Sequence, residues 1–498
     1  MLDAIPLTEL LEGVELVGNP PIPSLAIHKI VGNSKEVEPG SLFVAVTGLK
    51  IDGHNFLGEA LKNGAVALLG EKNMDLPPYV PYLQLKDSRR ALSRMAANFY
   101  RHPAQMMKMI GVTGTNGKTT VTYLIEWILK QAGIFSGMLG TINCRYLDQI
   151  IPSNLTTPDP IFIHKILSDM RQQGVQVGVM EVSSHALDLY RVEDIPFDLC
   201  IFTNLTQEHL DYHKSMELYF ESKKRLFKEL LLKKGKGVRK GIVNVDDPYG
   251  RRLIDCVTKG IIDTYSLTPN PKWTYRVSQF SISLDGLTAQ VETPFGPLPI
   301  ASQLIGAFNL SNLVAAIVAA INLDIPFNTI RAALLTFPGV PGRLQRIAHP
   351  RGVYVFVDYA HTPDALKNVL TAMHSLRCQK IITVFGCGGD RDSLKRPEMG
   401  REVAKFSDFA VITSDNPRTE DPLHIIDQII PGVEAGGLVK GKSYLVEPNR
   451  RQAIAQALAL AKSGDVVLIA GKGHEDYQII GATKTHFDDS EVAKEFCL

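Results

Sequence analysis

Gly111-Val112-Thr113-Gly114-Thr115-Asn116-Gly117-Lys118-Thr119-Thr120 decides the fold of this 498-residue chain. Met107-Lys108-Met109-Ile110 leads into it as a short, largely apolar strand. After it, Val121, Leu124, Ile125, Ile128 and Leu129 recur at i, i+3, i+4 spacing. That stripe predicts an amphipathic helix, and Gly133 is placed to stop it. Strand, glycine-rich loop, Gly-Lys-Thr and helix form a cradle for a nucleoside triphosphate. Backbone N–H groups and the helix N-terminus face the phosphates, Lys118 supplies positive charge, and the Thr119 hydroxyl suits Mg²⁺. The spacing departs from the usual G-x-x-x-x-G-K-[ST]: Val112 stands five before Gly117, with glycines at 111 and 114 instead. An ordinary tight turn is the alternative, and Gly-Lys-Thr between a strand and a helix argues against it.

Length and composition bound the rest. A chain this long exceeds one hydrophobic core, so two to four domains are expected. Hydrophobic residues make up 45% and charged residues 21%, a normal globular mix. A net charge of +1 gives no support for a nucleic-acid partner. The six cysteines (144, 200, 256, 378, 387, 497) are scattered without a C-x-x-C pair, which suits reduced thiols in a cytoplasm. Met1-Leu2-Asp3-Ala4-Ile5-Pro6 has no basic n-region before an apolar run, so no signal peptide is read. No apolar stretch reaches membrane-spanning length. A cytoplasmic protein without membrane insertion is expected.

Three α/β domains are predicted, over 1–105, 106–340 and 341–498. In the first, Ser41–Val46 and Ala65–Leu69 read as strands around a short helix at Phe56–Asn63, with a polar loop at Asp52-Gly53-His54. Ser34 and His54 are ligand candidates there, or merely solvated. In the central domain, Thr156 and Thr157 before Pro158 offer hydroxyls to phosphate or sugar, or else cap a helix. The strand 175–180 ends in Glu181-Val182-Ser183-Ser184-His185, where Glu181 is placed for Mg²⁺ or stands in solvent. The strand 197–203 leads to Asn204 and Gln207-Glu208-His209-Leu210-Asp211-Tyr212-His213. His209 and His213 have the spacing of a zinc pair but lack a third ligand nearby, so His209 on Mg²⁺ or in solvent is expected instead. Met216, Tyr219, Phe220, Phe227 and Leu230 form one apolar helical stripe. Lys223 falls inside it, while Lys224 and Arg225 do not. An inward lysine is paired, neutralised or modified, or its head snorkels to water. Asn309 and Asn312 open an Ala-rich helix through Ala320, where Asn312 reads an adenine edge or Asn309 caps the helix.

After the hinge Phe337-Pro338-Gly339-Val340, apolar strands at 353–357, 380–385, 409–413 and 466–470 alternate with helical patterns, as in a Rossmann-like doubly wound parallel sheet. Their loops are Asp358–Pro363, Gly386–Asp392, Ser414–Arg418 and Gly471–Glu475. Ligands bind at the carboxyl ends of such strands, so these loops are expected on one rim.

Taken in order, Gly114-Thr115-Asn116-Gly117-Lys118-Thr119, Thr156-Thr157-Pro158, Glu181–His185, Asn204 with His209-Leu210-Asp211, Asn309–Asn312, Gly342-Arg343 and Asp358-Tyr359-Ala360-His361 resemble the Mur ligases. These join amino acids to the peptidoglycan precursor. Asp415-Asn416-Pro417-Arg418 with Gly471-Lys472-Gly473-His474-Glu475 is similar to the members that add meso-diaminopimelate to UDP-MurNAc-L-Ala-D-Glu. The resemblance covers nearly the whole chain, with two departures. Asn33-Ser34-Lys35 stands where the family has Asp-Ser-Arg, and Glu208 where it has Asp before His-Leu-Asp.

The resemblance implies a small α/β domain binding UDP-MurNAc, a central P-loop mononucleotide-binding domain for ATP, and a C-terminal domain for the amino acid. It implies ATP-dependent ligation through an acyl phosphate, in cytoplasmic peptidoglycan synthesis and hence cell-wall growth, shape and division. ATP contacts are expected from Gly114, Thr115, Asn116, Gly117, Lys118, Thr119, Thr120, Asn312, Arg343 and Asp358. Lys118, Glu181, His209 and Lys223 are expected to be catalytic. Thr119 and Glu181 would hold one Mg²⁺; Glu181, His209 and Lys223, carbamylated to N6-carboxylysine, would hold a second. Ser34, Thr156, Thr157, Ser183 and Arg191 match UDP-MurNAc-dipeptide contacts. Arg391, Asp415, Asn416, Arg418, Gly471 and Glu475 match contacts to diaminopimelate. A monomer is expected. The L-lysine-adding ligase, folylpolyglutamate synthetase and a non-enzymatic nucleotide switch are the competing readings.

Overall fold

A computed structural model describes residues 4–49, 51–233, 239–258 and 260–497; residues 1–3 of the N-terminal stretch read above lie outside these. The chain divides into two compact units, Met1–Arg276 with Asn312–Ile330, and Val277–Ser311 with Arg331–Leu498.

Besides a pair of two-residue strands, Ile5–Pro6 and Ala26–Ile27, the first unit holds a four-stranded sheet and strands of an eleven-stranded one. The smaller is a parallel sheet of Lys29–Val31, Ser41–Ala45, Ala65–Gly70 and Tyr82–Gln84, in that order. Tyr82–Gln84 escaped the sequence reading because three residues show no periodicity. In the larger sheet, Lys108–Thr113 lies between Val177–Glu181 and Leu199–Phe202, parallel to both. Ser136–Leu139 extends it on one side, and Lys240–Asn244 with Ile262–Ser266 on the other, all parallel. The strand before the cradle therefore starts at Lys108 and runs to Thr113, further than expected. Its residues Met109, Ile110 and Val112 are fully buried, as a strand covered on both faces requires. The helix Lys118–Gln131 follows, and its C-terminal turn ends at Gly133 in the left-handed region, φ +71°.

In the second unit, Tyr354–Asp358, Val466–Ala470, Ile381–Phe385, Phe409–Ile412 and Tyr444–Val446 pair in that order, all parallel, with Gln345–Ile347 antiparallel at the edge. Alternate residues feed opposite layers. Val466, Leu468 and Ala470 pack with Leu366, Met399 and Ile425. Val467 and Ile469 pack with Ile454, Leu458 and Val492. This is the doubly wound arrangement, and parallel pairing puts the carboxyl ends of the main strands at one rim. The edge pieces Gln345–Ile347 and Tyr444–Val446 were not legible, again for want of length. Among the described residues, no helix is long and apolar enough to cross a membrane.

Candidate active site

The cradle is bolted to the neighbouring strand. Thr115 N–H donates to Asn204 O at 2.9 Å and Asn116 N–H to Asn204 Oδ1 at 2.9 Å. Thr203 Oγ1 donates back to Asn116 O at 2.6 Å. Gly114 and Gly117 take φ of +149° and +87°, and a side chain at Gly117 would press on Asn312 Oδ1. Glycine is thus required there by backbone and by space. The same contact puts Asn312 against the loop. The Asn309 side chain donates to Ile305 O at 2.9 Å inside the helix that begins at Ala307, so it is not that helix's cap residue. Lys118 Nζ donates to Gly114 O at 2.9 Å and Thr115 O at 2.7 Å, which folds its ammonium over the loop.

Register brings Glu181 to the same place. Glu181 pairs with Val112 across parallel strands, so its carboxylate leaves the sheet beside the loop. It is 1% exposed, which excludes the solvated alternative. Its Oε2 accepts from Thr119 Oγ1 at 3.1 Å and from Thr141 Oγ1 at 2.9 Å, and its Oε1 from Thr141 N–H at 2.8 Å. Thr119 and Glu181 are hard oxygen donors side by side at a helix N-terminus, a set that fits Mg²⁺. Thr141 escaped the sequence reading. Its only signal was the Gly140-Thr141 pair after an apolar strand.

Lys223 is the most unusual group in the unit. It is 1% exposed on the helix Met216–Arg225, so its head does not snorkel to water. Its Nζ donates to Gly114 O at 2.9 Å, the carbonyl that also receives Lys118, and lies 4.7 Å from the Tyr219 ring centroid. Among the described residues no carboxylate lies within 4 Å of it. Burial, and then Lys118, push its amine well below the usual lysine range. The helical phase was right over the first turns, but Leu226–Leu230 widens to a π-helix, which periodicity alone does not reveal. Tyr219 was read as stripe only; its hydroxyl in fact pairs with Thr115 Oγ1 at 3.2 Å.

His209 sits at φ +56° with its side chain 44% exposed. Partial burial, helped by Lys118 and Lys223 and opposed by Glu208, pushes its imidazole below its usual pKa, so a neutral ring is available as a ligand. His213 is engaged elsewhere: its Nε2 meets Ser184 Oγ at 2.9 Å and its ring stacks on Tyr219. The zinc-pair spacing has a structural use instead.

The expected sugar-peptide contacts fall into two groups. Thr157, Ser183 and Arg191 lie together: Thr157 Oγ1 donates to Glu181 O at 2.8 Å and accepts from Ser183 N–H at 3.0 Å, and Arg191 donates to Thr157 O at 2.8 Å. The Thr157 hydroxyl is therefore not free, contrary to expectation, whereas Thr156 Oγ1 accepts from Thr141 Oγ1 at 3.1 Å. The helix beyond is capped by Asp159 with Pro160 at its first position, so Thr156 and Thr157 are not its caps. In the small domain Ser34 is buried and donates to Glu59 Oε2 at 2.6 Å. His54 is consumed structurally. Its Nδ1 meets Asp52 Oδ1 at 2.6 Å, and its Nε2 accepts from Glu71 N–H at 2.9 Å.

At the rim of the second unit the expected residues converge. Asn416 Nδ2 donates to Glu475 Oε2 at 2.8 Å. Arg418, held at φ +53°, donates from Nη1 to Gly389 O at 2.7 Å. A side chain at Gly388 would meet Arg418 Nη1 at 3.0 Å and Arg391 Cγ at 3.8 Å, so both arginines flank that glycine. One at Gly471 would lie 2.6 Å from Asp415 Oδ2. Lys472, which sequence reasoning passed over, is fully buried, with Nζ 3.4 Å from Glu475 Oε2 and bonded to Tyr477 O. Asp358 accepts from Leu344 N–H at 2.7 Å and Ala360 N–H at 2.9 Å, and Arg343 lies over the Tyr359 ring.

A P-loop on a parallel sheet, a buried carboxylate beside its threonine, and a separate doubly wound domain with a charged rim define a class: nucleotide-using ligases built from several α/β domains. The descriptions "Mur ligase family, catalytic domain", "Mur ligase middle domain" and "Mur ligase, glutamate ligase domain" match residues 26–100, 112–320 and 342–473. A Geobacter metallireducens protein named UDP-N-acetylmuramoyl-L-alanyl-D-glutamate--2,6-diaminopimelate ligase is 45% identical over 486 residues, 95% of this chain and 94% of the relative. A protein of the same name from Geobacter sulfurreducens is 44% identical over 481 residues, 94% of each. A solved structure of a ligase of that name superimposes with a TM-score of 0.72 at 32% identity, covering 99% of each chain. The chain belongs to the Mur ligase family, and has its three-domain architecture.

Proposed function

We propose that this protein is the ATP-dependent ligase that adds meso-diaminopimelate to UDP-MurNAc-L-Ala-D-Glu, acting in the cytoplasm as a monomer in peptidoglycan precursor synthesis. The observation that carries the choice of amino acid is the rim cluster, where the Arg418 guanidinium stands beside the Asn416–Glu475 pair. The names of the relatives agree with it.

The chemistry follows from the residues. A carboxylate resists amines until one of its oxygens becomes a good leaving group. Transfer of the γ-phosphoryl of ATP to the D-Glu carboxylate forms an acyl phosphate and breaks the bond to ADP. Lys118 and the loop N–H groups stabilise charge on the transferred group. Asn312 takes the adenine edge, with Arg343 and Asp358 also serving the nucleotide. Thr119 and Glu181 would hold a magnesium ion, which supplies further charge neutralisation on the phosphates. Glu181, His209 and Lys223 would hold a second once Lys223 is a carbamate. The depressed amine of Lys223 favours that modification, since only the neutral form attacks CO₂, forming a C–N bond and losing a proton. Thr156, Ser183, Arg191 and Ser34 orient the UDP-MurNAc-dipeptide, with Thr157 holding Ser183 and Arg191 in place. The amine of diaminopimelate then attacks the carbonyl carbon, the new C–N bond forms and phosphate leaves.

Diaminopimelate and L-lysine differ by one carboxylate at the far end of the side chain. A guanidinium grips a carboxylate through two parallel hydrogen bonds and repels an incoming ammonium. Among the described residues no carboxylate lies within 4 Å of Arg418. Asn416 and Glu475 suit the distal amino group, with Arg391, Asp415 and Gly471 nearby. Arg418→Ala should cost about 2–5 kcal/mol in diaminopimelate use, the range for truncating one partner of a buried charge pair. ATP affinity should change little. Competition between meso-diaminopimelate and L-lysine, with UDP-MurNAc-L-Ala-D-Glu as acceptor, tests the assignment; preference of the wild type for L-lysine would defeat it.

A further inference from the structure

Beneath the rim lies an ion pair that the reaction does not use. Arg450 opens the helix Arg450–Leu460 and Asp489 opens the C-terminal helix Asp489–Phe496. Both side chains are fully buried. Arg450 Nε donates to Asp489 Oδ1 at 2.7 Å and Nη2 to Oδ2 at 2.7 Å, a two-pronged pair. The same guanidinium donates from Nη2 to Ala470 O at 2.9 Å and from Nη1 to Ser414 O at 3.4 Å. Ala470 precedes Gly471, and Ser414 precedes Asp415. One planar cation therefore joins the carbonyls from which two rim loops depart. The loops are already close: a side chain at Gly471 would lie 2.6 Å from Asp415 Oδ2 and 3.9 Å from Arg450 Nη2.

Stability alone does not account for such a pair. Desolvating two charges is costly, and apolar residues of similar volume are often as stable or more so. What apolar residues cannot do is donate to two backbone carbonyls in a fixed plane. We infer that Arg450 and Asp489 are a positioning pair that sets the separation of the loops Asp415–Arg418 and Gly471–Glu475, making the C-terminal helix part of the amino-acid specificity apparatus. The inference rests on the assignment of these loops to diaminopimelate.

The test uses the full chain and four proteins: wild type, Asp489→Asn, Arg450→Lys, and the double variant Arg450→Met/Asp489→Leu. KM for meso-diaminopimelate, KM for ATP, kcat and the thermal midpoint are measured for each. Asp489→Asn and Arg450→Lys should raise KM for diaminopimelate about tenfold or more, with KM for ATP close to wild type. The double variant should melt above the single variants, because no charge is left buried alone, yet keep the raised KM for diaminopimelate. That split is what a purely structural pair would not produce. A folded double variant with wild-type KM for diaminopimelate overturns the inference, as does an equal rise in KM for ATP. If Asp489→Asn does not fold, the double variant and Arg450→Lys decide by the same readouts. Failure of the wild type to use diaminopimelate would instead defeat the amino-acid assignment, and is seen in the first column of the same experiment.

Discussion

Lys118→Ala is expected to give a folded protein whose ligation rate falls by about 10³-fold, the scale for removing one preorganised electrostatic partner of a developing charge. The lysine is only partly buried, and in the structure it donates to two carbonyls of its own loop. Losing those bonds costs roughly 1 kcal/mol each at most, so the thermal midpoint should move by a few degrees. The loop itself stays bolted through Asn204 and Thr203, neither of which needs the lysine. Activity and stability should therefore separate in this variant. Steady-state rates with saturating ATP, alongside a thermal melt, measure both. Near-normal ligation would remove Lys118 from the phosphoryl-transfer step.

The second large effect belongs to Lys223. Its alanine variant should be nearly inactive, again by about 10² to 10³-fold, and partly restored by a short added carboxylate that occupies the vacated space. The physical case is the inward phase, the depressed amine and the shared carbonyl of Gly114. A second ammonium on that carbonyl would be repelled by Lys118, which helps keep the Lys223 amine neutral, whereas a carbamate there would attract Lys118. Intact-protein and peptide mass measurement on the active, Mg²⁺-loaded enzyme should find one CO₂ on Lys223. An unmodified amine in the active enzyme would contradict the carbamate. Lys224→Ala is the control. Lys224 lies off the apolar stripe, paired with Glu221 and 5.8 Å from the Phe220 ring centroid on its own helix, contacts of small energetic worth, so activity should stay near wild type.

Features encoded by contiguous residues were legible, and those created by sheet register were not. The cradle could be read because strand, glycines, lysine and helix are adjacent in the chain. Lys223 could be read because one helix carries both the stripe and the lysine that interrupts it. Thr141 and Thr203 could not. Each reaches its partner across parallel strands, and nothing within a few residues of either announces the contact. The same cause explains the expectations that changed. His213 has the i, i+4 partner that a metal pair needs, yet Ser184, 29 residues away, takes its Nε2. His54 in its polar loop is fixed by Asp52 on one side and by the Glu71 and Lys72 N–H groups on the other. The buried ion pair Arg450–Asp489 joins residues 39 apart that have no shared motif.

The central claim is that ATP cleavage is coupled to joining one amino acid to one carboxylate. The most direct measurement is phosphate release by the purified protein with ATP and Mg²⁺, with UDP-MurNAc-L-Ala-D-Glu and meso-diaminopimelate supplied separately and together, and product mass determined. Phosphate should appear in step with UDP-MurNAc-tripeptide only when both are present, and L-lysine should not replace diaminopimelate. Phosphate release that ignores either substrate, or release without a tripeptide product, would contradict the account.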